Sequence, residues 1–378
     1  MSVLIQREPV LNRHKTITAS RLRVHATSVE AVAAELARLA EAWPDSRDIF
    51  VSFVNPAMAD SLLYWQPPLN VMLEIPASRL NDAGMAALIS DVVGRQIPLC
   101  LDDYDPSVPL PLKPSFRFLL SDAIAQPDMS QAPASPLAKG LSNSEAFTEA
   151  IAHGYAGAAG WFFLQTPREP SAKLSPNHAR IIDLLNLVRN NAEVSEIELA
   201  LKKDVTLAFK LLRYINSAGF GMTNEINSFR HAVTIMGYDK LNRWLSLLLV
   251  NASQDHSAPA LMQTAVIRGR FMEQMGAHFL PKSQLDNIFI AGAFSILDIL
   301  LGTRMDVIFE KLQLPGNITE ALLQQSGDIA PLLELAKTAE TGTIEALQSQ
   351  LQALGLTAQQ CNSAQIEALV FADKLQFS

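Results

Sequence analysis

Up to residue 122 the chain alternates short apolar runs with segments of helical spacing. Residues 3–11 and 16–26 have the composition of strands, and from Val29 to Ala42 the Ala, Leu and Val positions recur at helical spacing. The alternation continues with IFVSFVN at 49–55, a short helix over 57–64, NVMLEI at 70–75, a helix over 82–94, IPLCLDD at 97–103 and FRFLLSD at 116–122. Apolar strands alternating with helices imply a largely parallel sheet buried on both faces. The pattern then lapses. QPDMSQAPASP at 126–136 reads as a Pro- and Ser-rich loop. From Ser121 to Pro136 there are too few residues for a crossover helix with its connections. The prolines at 167, 170 and 176 mark a linker over 167–176 between a first domain at 1–166 and a second at 177–378. The second domain has helical spacing throughout, with expected helices at 177–190, 195–202, 205–218, 228–236, 238–252, 259–279, 284–301, 303–312, 316–325, 328–339, 342–354 and 357–376.

Within that second domain, residues 204–250 are the most informative stretch. Asp204 can cap a helix whose Val205, Ala208, Leu211, Leu212 and Ile215 form one apolar face. Gly219 and Gly221 follow, Ser228 opens the next helix, and Gly237 ends it. The next helix, from Lys240 to Val250, is apolar on nearly every face and belongs in the middle of a helical domain. The run LLRYINSAGFG at 211–221, INSFRHAVTIMGYDKL at 226–241 and the Trp244 helix together closely resemble the HDOD domain, a non-catalytic relative of HD and HD-GYP phosphohydrolases. That resemblance implies an all-α fold and marks Arg213, Asn216, Ser217, Gly219 and Gly237 as signature positions. The adjacent His-Asp pair of active relatives falls near Ser295 and Ile296, and Arg268 and Arg270 stand where a ligand His would be sought. Guanidinium does not coordinate metal.

The first domain has a looser likeness to the EAL domain, a barrel-like fold that hydrolyses cyclic di-GMP. Arg7-Glu8-Pro9-Val10, Asn55, Leu73-Glu74-Ile75, Leu101-Asp102-Asp103-Tyr104 and Gly160-Trp161-Phe162-Phe163 match its skeleton in order. By that resemblance Asn55, Glu74, Asp102 and Asp103 are vestigial site positions. The motif Glu falls on Arg21, the strand Lys near Leu119 and Leu120, the late Glu positions on Lys139 and Ser142, and the Gln on Ala159. Two-metal phosphodiester hydrolysis needs carboxylates converging on the cations, and Arg21 puts a positive charge among them. The fold class expected is therefore α/β followed by all-α: a shortened, degenerate EAL-like domain derived from a TIM barrel, then a helical HDOD domain. The barrel should lack at least one helix.

Composition narrows the functional classes. The 378 residues suffice for two cores, and a formal charge of −8 without a Lys/Arg cluster argues against nucleic-acid binding. Cys100 and Cys361 stand far apart, which suggests neither a disulfide framework nor a zinc site, and none of the seven His residues form a close pair. No apolar run is long enough for a membrane span or a signal peptide core, so a cytoplasmic location without membrane contact is expected. Nucleophile elbow, Walker and dinucleotide motifs are missing from the sequence. The resulting expectation is a catalytically inactive signalling protein with no cofactor or metal, acting through other signalling proteins. The competing readings are a cyclic di-GMP or related nucleotide receptor that does not hydrolyse its ligand, and a residual metal-dependent phosphodiesterase.

Overall fold

A computed structural model describes residues 3–110, 115–123, 127–165, 170–171, 173–202, 229–250 and 258–375. Two compact units divide it: residues 1–165 with 337–366, and residues 166–336 with 367–378. The first of these divisions falls between residues 165 and 166, and 337–366 return to the first unit, which the sequence pattern did not suggest.

The first unit is built on a closed barrel of eight strands: β1 (Leu4–Asn12), β2 (Ile17–His25), β3 (Asp48–Phe53), β4 (Val71–Pro76), β5 (Leu99–Asp102), β6 (Phe116–Asp122), β7 (Ser135–Lys139) and β8 (Gly157–Ala159). β1 is antiparallel to both neighbours, and every other pairing is parallel. Helix α1 (Val29–Leu39) follows β2, with the Ser28 hydroxyl accepting from the Ala31 amide at its start. A 3-10 segment (Pro56–Tyr64) replaces the helix after β3, and α2 (Ala83–Gly94) follows β4. Among the described residues no helix connects β5 to β6 or β6 to β7, in line with the expected pared-down barrel. β7, β8 and α3 (Ser144–Ala152) between them lie where the alternation lapses. Gly157 explains how so short a last strand closes the barrel: a Cβ there would stand 2.1 Å from the Leu11 carbonyl oxygen, so only glycine allows β8 to approach β1.

Because β8 pairs only with Val10, Leu11 and Asn12, the first half of β1 lacks a strand partner on that side. Side chains of a late helix supply one. Asn362 accepts from the Ile5 amide at 3.0 Å and donates to the Val3 carbonyl at 3.0 Å and to Glu35 at 2.7 Å, while Gln365 donates to the Ile5 carbonyl at 2.6 Å. A buried strand edge left without partners is costly, so these amides act as a substitute strand. This is why residues 337–366 belong with the barrel.

The second unit is helical: α4 (Pro176–Arg189), α5 (Val194–Lys202), α6 (Phe229–Val250), α7 (Ala258–Gly276), α8 (Lys282–Phe294), α9 (Leu297–Leu301), α10 (Met305–Lys311) and α11 (Gly316–Thr319). Three more helices follow, α12 (Ala330–Thr341), α13 (Ile344–Ala353) and α14 (Ala358–Lys374); α12 and α14 each span a division between the units, and α13 belongs to the first. Gly237 breaks α6 with φ 72°, at the position where the sequence ends one helix and starts another. The helix expected over 284–301 divides instead at Ser295 and Ile296. At the crossing of α7 and α8, a Cβ on Gly292 would lie 2.7 Å from the Gly269 Cα, so these two glycines let the backbones touch. No described helix is long and apolar enough to cross a membrane.

Candidate functional site

The barrel interior has an apolar layer made by Val10, Ala19, Phe50, Met72, Cys100, Leu120, Leu137 and Ala159. Side chains alternate along a strand, so the next residues facing the same way lie two positions further on. Those residues are Arg21, Ser52, Glu74, Asp102, Asp122 and Lys139, toward the C-terminal ends of β2 to β7. β1 runs the other way, and its contribution is therefore two positions earlier, at Glu8. Register places Glu8 opposite Arg21 and Asp122 opposite Lys139. A charged layer thus lies directly above an apolar one, at the end of the parallel strands where barrels carry their sites.

Arg21 organises this layer. Its Nη1 donates to Glu8 at 2.9 Å, its Nε to Glu74 at 2.8 Å, and its Nη2 both to the second Glu74 oxygen and to Asp102 at 3.2 Å. Lys139 reaches Asp102 at 2.5 Å and also contacts Asp103. The Glu74 side chain is 1% exposed and Arg21 8%, whereas Asp103 is 65% exposed. Burial pushes the Glu74 carboxyl upward against the pull of Arg21 and a hydrogen bond from Ser52. Burial also opposes ionisation of Asp102, yet Arg21 and Lys139 hold its carboxyl below the usual range. The Arg21 guanidinium, although burial works against its charge, is driven further upward by Glu74, Glu8 and Asp102.

Of the residues marked in the sequence, Glu74, Asp102 and Asp103 come together here. Asn55 is exposed after β3, and its side chain accepts from the Ala57 amide at 3.2 Å, which stabilises a turn. Glu8 and Ser52 were not singled out, and the reversed direction of β1 was the missing clue to Glu8. Arg213, Asn216, Ser217 and Gly219 lie outside the described residues.

The donor set does not suit a pair of divalent cations. Both Glu74 oxygens are taken by Arg21, and the two Asp102 oxygens by Arg21 and Lys139. A cation already sits where the carboxylates converge. Among the described residues no group of three or more His, Cys, Asp or Glu side chains is placed to hold a metal.

In the helical unit, Ser295 occupies the end of α8, where its Oγ accepts from Arg268 Nη1 at 2.7 Å and donates to the Gly292 carbonyl at 2.7 Å. The hydroxyl thus ties α7 to the break before α9. Residues 173–297 match the HDOD domain. This agrees with the signature read in the sequence, and the HDOD domain accounts for α4 to α8. Two curated relatives match over longer stretches. "Cyclic di-GMP phosphodiesterase CdgJ" of Vibrio cholerae is 27% identical over 233 residues, 61% of this chain and 54% of that protein. The uncharacterised YuxH of Bacillus subtilis is 24% identical over 209 residues, 54% of this chain and 51% of that protein. The chain spans about half the length of the curated relatives it matches. Solved structures similar to it include the PaMucR phosphodiesterase in complex with c-di-GMP, with a TM-score of 0.33 and 12% identity, covering 42% of this chain and 94% of that one. Another is a standalone EAL protein from Vibrio cholerae O395 in a c-di-GMP-bound form, with a TM-score of 0.32 and 16% identity, covering 43% of this chain and 92% of that one.

The structure has the expected sequence of classes, a closed eight-stranded α/β barrel accompanied by a helical part that contains the HDOD domain. The match to CdgJ overturns the expectation that the chain is not an enzyme, because that relative is named a phosphodiesterase. That expectation counted missing metal ligands, which bears on metal loading and does not by itself decide a reaction. The chain thus contains an HDOD domain and is similar over 61% of its length to a protein named a cyclic di-GMP phosphodiesterase.

Proposed function

We propose that the chain is a signal-transduction protein that takes up cyclic di-GMP at the C-terminal mouth of its barrel and passes the signal on through protein contacts of its HDOD domain. The observation that carries this reading is the match to CdgJ together with the HDOD domain in the same chain. The charged layer supplies the chemistry. Lys139 is shared between Asp102, which also binds Arg21, and the exposed Asp103, which meets no other cation among the described residues. A phosphodiester can displace Asp103 from Lys139 while Asp102 stays in place, because an exposed ion pair contributes little. Arg21 keeps Glu8, Glu74 and Asp102 occupied and so limits their repulsion toward an anionic ligand.

The test is an affinity capture from the native host with the tagged full chain, with and without added cyclic di-GMP, alongside a hydrolysis assay supplemented with magnesium or manganese. A set of captured proteins that changes with the messenger supports the reading, and turnover would add the activity named for CdgJ. Capture insensitive to cyclic di-GMP, together with no binding and no turnover, would sink it.

A further inference from the structure

A second feature, in the helical unit and independent of the barrel, concerns Arg189. It lies in the last turn of α4, which Asn190 caps and Asn191 leaves with φ 51°, a left-handed position that Asn tolerates. Two of its three guanidinium nitrogens fasten neighbouring segments: Nε donates to Asn242 at 2.7 Å and Nη1 to the Gln313 carbonyl at 2.7 Å. Both acceptors are neutral. Nη2 is buried and has no acceptor among the described residues. Two other enclosed guanidinium groups meet carboxylates, Arg21 three of them and Arg243 those of Glu273 and Asp286. Burial pulls Arg189 down to about 10. An enclosed cation without a counter-charge is unfavourable, and Arg189 borders a cavity of about 440 Å³. Asn190, Asn191, Tyr238 and Asn242 also line the cavity, and although Asn190 already donates to Gln313 and Tyr238 to the Ala192 carbonyl, the wall is polar.

We propose that this cavity is a binding site for a small oxyanion, a carboxylate or phosphate group, whose charge compensates Arg189. Its volume is in the range of small-molecule sites. Two features oppose an anion: the carbonyl end of α4 and the exposed Asp239 on the cavity wall. Binding therefore depends on the guanidinium, and the Asp239 charge weakens it. The fixing of the 311–313 segment by Asn186, which donates to the Lys311 carbonyl at 2.8 Å and accepts from the Gln313 amide at 3.0 Å, leaves that segment held when Arg189 is changed.

The experiment is equilibrium dialysis of the full chain against labelled inorganic phosphate and, separately, labelled acetate, at constant ionic strength in sodium chloride. Saturable binding of at least one of them at concentrations up to roughly 50 mM is expected. Phosphate alone points to phosphate esters and acetate alone to carboxylates. Arg189→Met should weaken binding about tenfold or more, since charge-assisted hydrogen bonds are the strong ones. Asp239→Asn, an exposed change that leaves folding intact, should tighten it several-fold. No saturable binding of either anion to the unaltered chain overturns the site, as does an affinity indifferent to Asp239→Asn.

Discussion

Replacing Arg21 by Met removes the one cation that Glu74 contacts among the described residues while keeping much of the side chain's bulk. Glu74, whose side chain is 1% exposed, then keeps only its hydrogen bond from Ser52. Removing one partner from a buried ion pair costs about 3–5 kcal/mol, chiefly because the other charge stays buried and uncompensated. Glu8 and Asp102 add to this by repelling Glu74 once the guanidinium is gone, although both are more exposed. Urea unfolding followed by tryptophan fluorescence is a suitable assay, because Trp43, Trp65 and Trp161, three of the four tryptophans, lie in residues 1–165. The sign with pH follows from Glu74. Its folded carboxyl is already raised by burial, and loss of Arg21 raises it further. Stability is then fully present below the unfolded carboxyl's pKa and is lost as pH rises through the folded value. The deficit of Arg21→Met should therefore be large at neutral pH and shrink toward pH of about 4. Adding Glu74→Gln should restore a large part of it. A deficit below about 1 kcal/mol that does not change with pH would refute the description of Arg21 as the keystone of a buried charge network.

Gly157→Ala should disrupt barrel closure, with a loss of about 3 kcal/mol or more, because its Cβ would meet the Leu11 carbonyl at 2.1 Å; an unchanged urea midpoint would contradict this. Glu273→Gln should cost about 1.5–3 kcal/mol at neutral pH, since Glu273 holds Arg243 at 2.6 and 2.8 Å. Burial opposes the Glu273 charge, but Arg243 and Arg270 hold its carboxyl below the ordinary 4.5, so the difference from the unaltered chain should vanish as pH falls through that lowered value; calorimetric unfolding across pH checks it. Burial pushes the Cys361 thiol up to about 12 and raises Cys100 as well, so a thiol reagent should label neither before unfolding; labelling of the native chain at the rate of a free thiol would be inconsistent with both being buried.

The fold was legible wherever periodicity was strong. Strands β1 to β6 and most helices of the second unit follow from runs such as IFVSFVN and from the apolar stripes of the helices. β8 escaped because three small residues carry no periodic signal, and its glycine is set by contact with a strand far away in sequence. The return of 337–366 was equally hidden. Nothing local to Asn362 or Gln365 says that each will meet the backbone of Ile5. At the candidate site, Arg21 was readable as a positive charge among acids, while the partnership of Lys139 with Asp102 and Asp103 needed the register of the barrel. The reading of Asn55 as part of that site came from its place in a motif, and its turn-forming bond gives it a local role.

The most direct test of messenger recognition at the barrel mouth is a calorimetric titration of cyclic di-GMP into the full chain, compared with Lys139→Met and Asp103→Asn. Lys139 contacts both Asp102 and Asp103, and Asp103 is the exposed partner that a phosphate would displace. The expected result is saturable binding by the unaltered chain, a loss of about tenfold or more in Lys139→Met, and a several-fold gain in Asp103→Asn. Binding that is absent, or that is the same in all three proteins, would contradict recognition through Lys139.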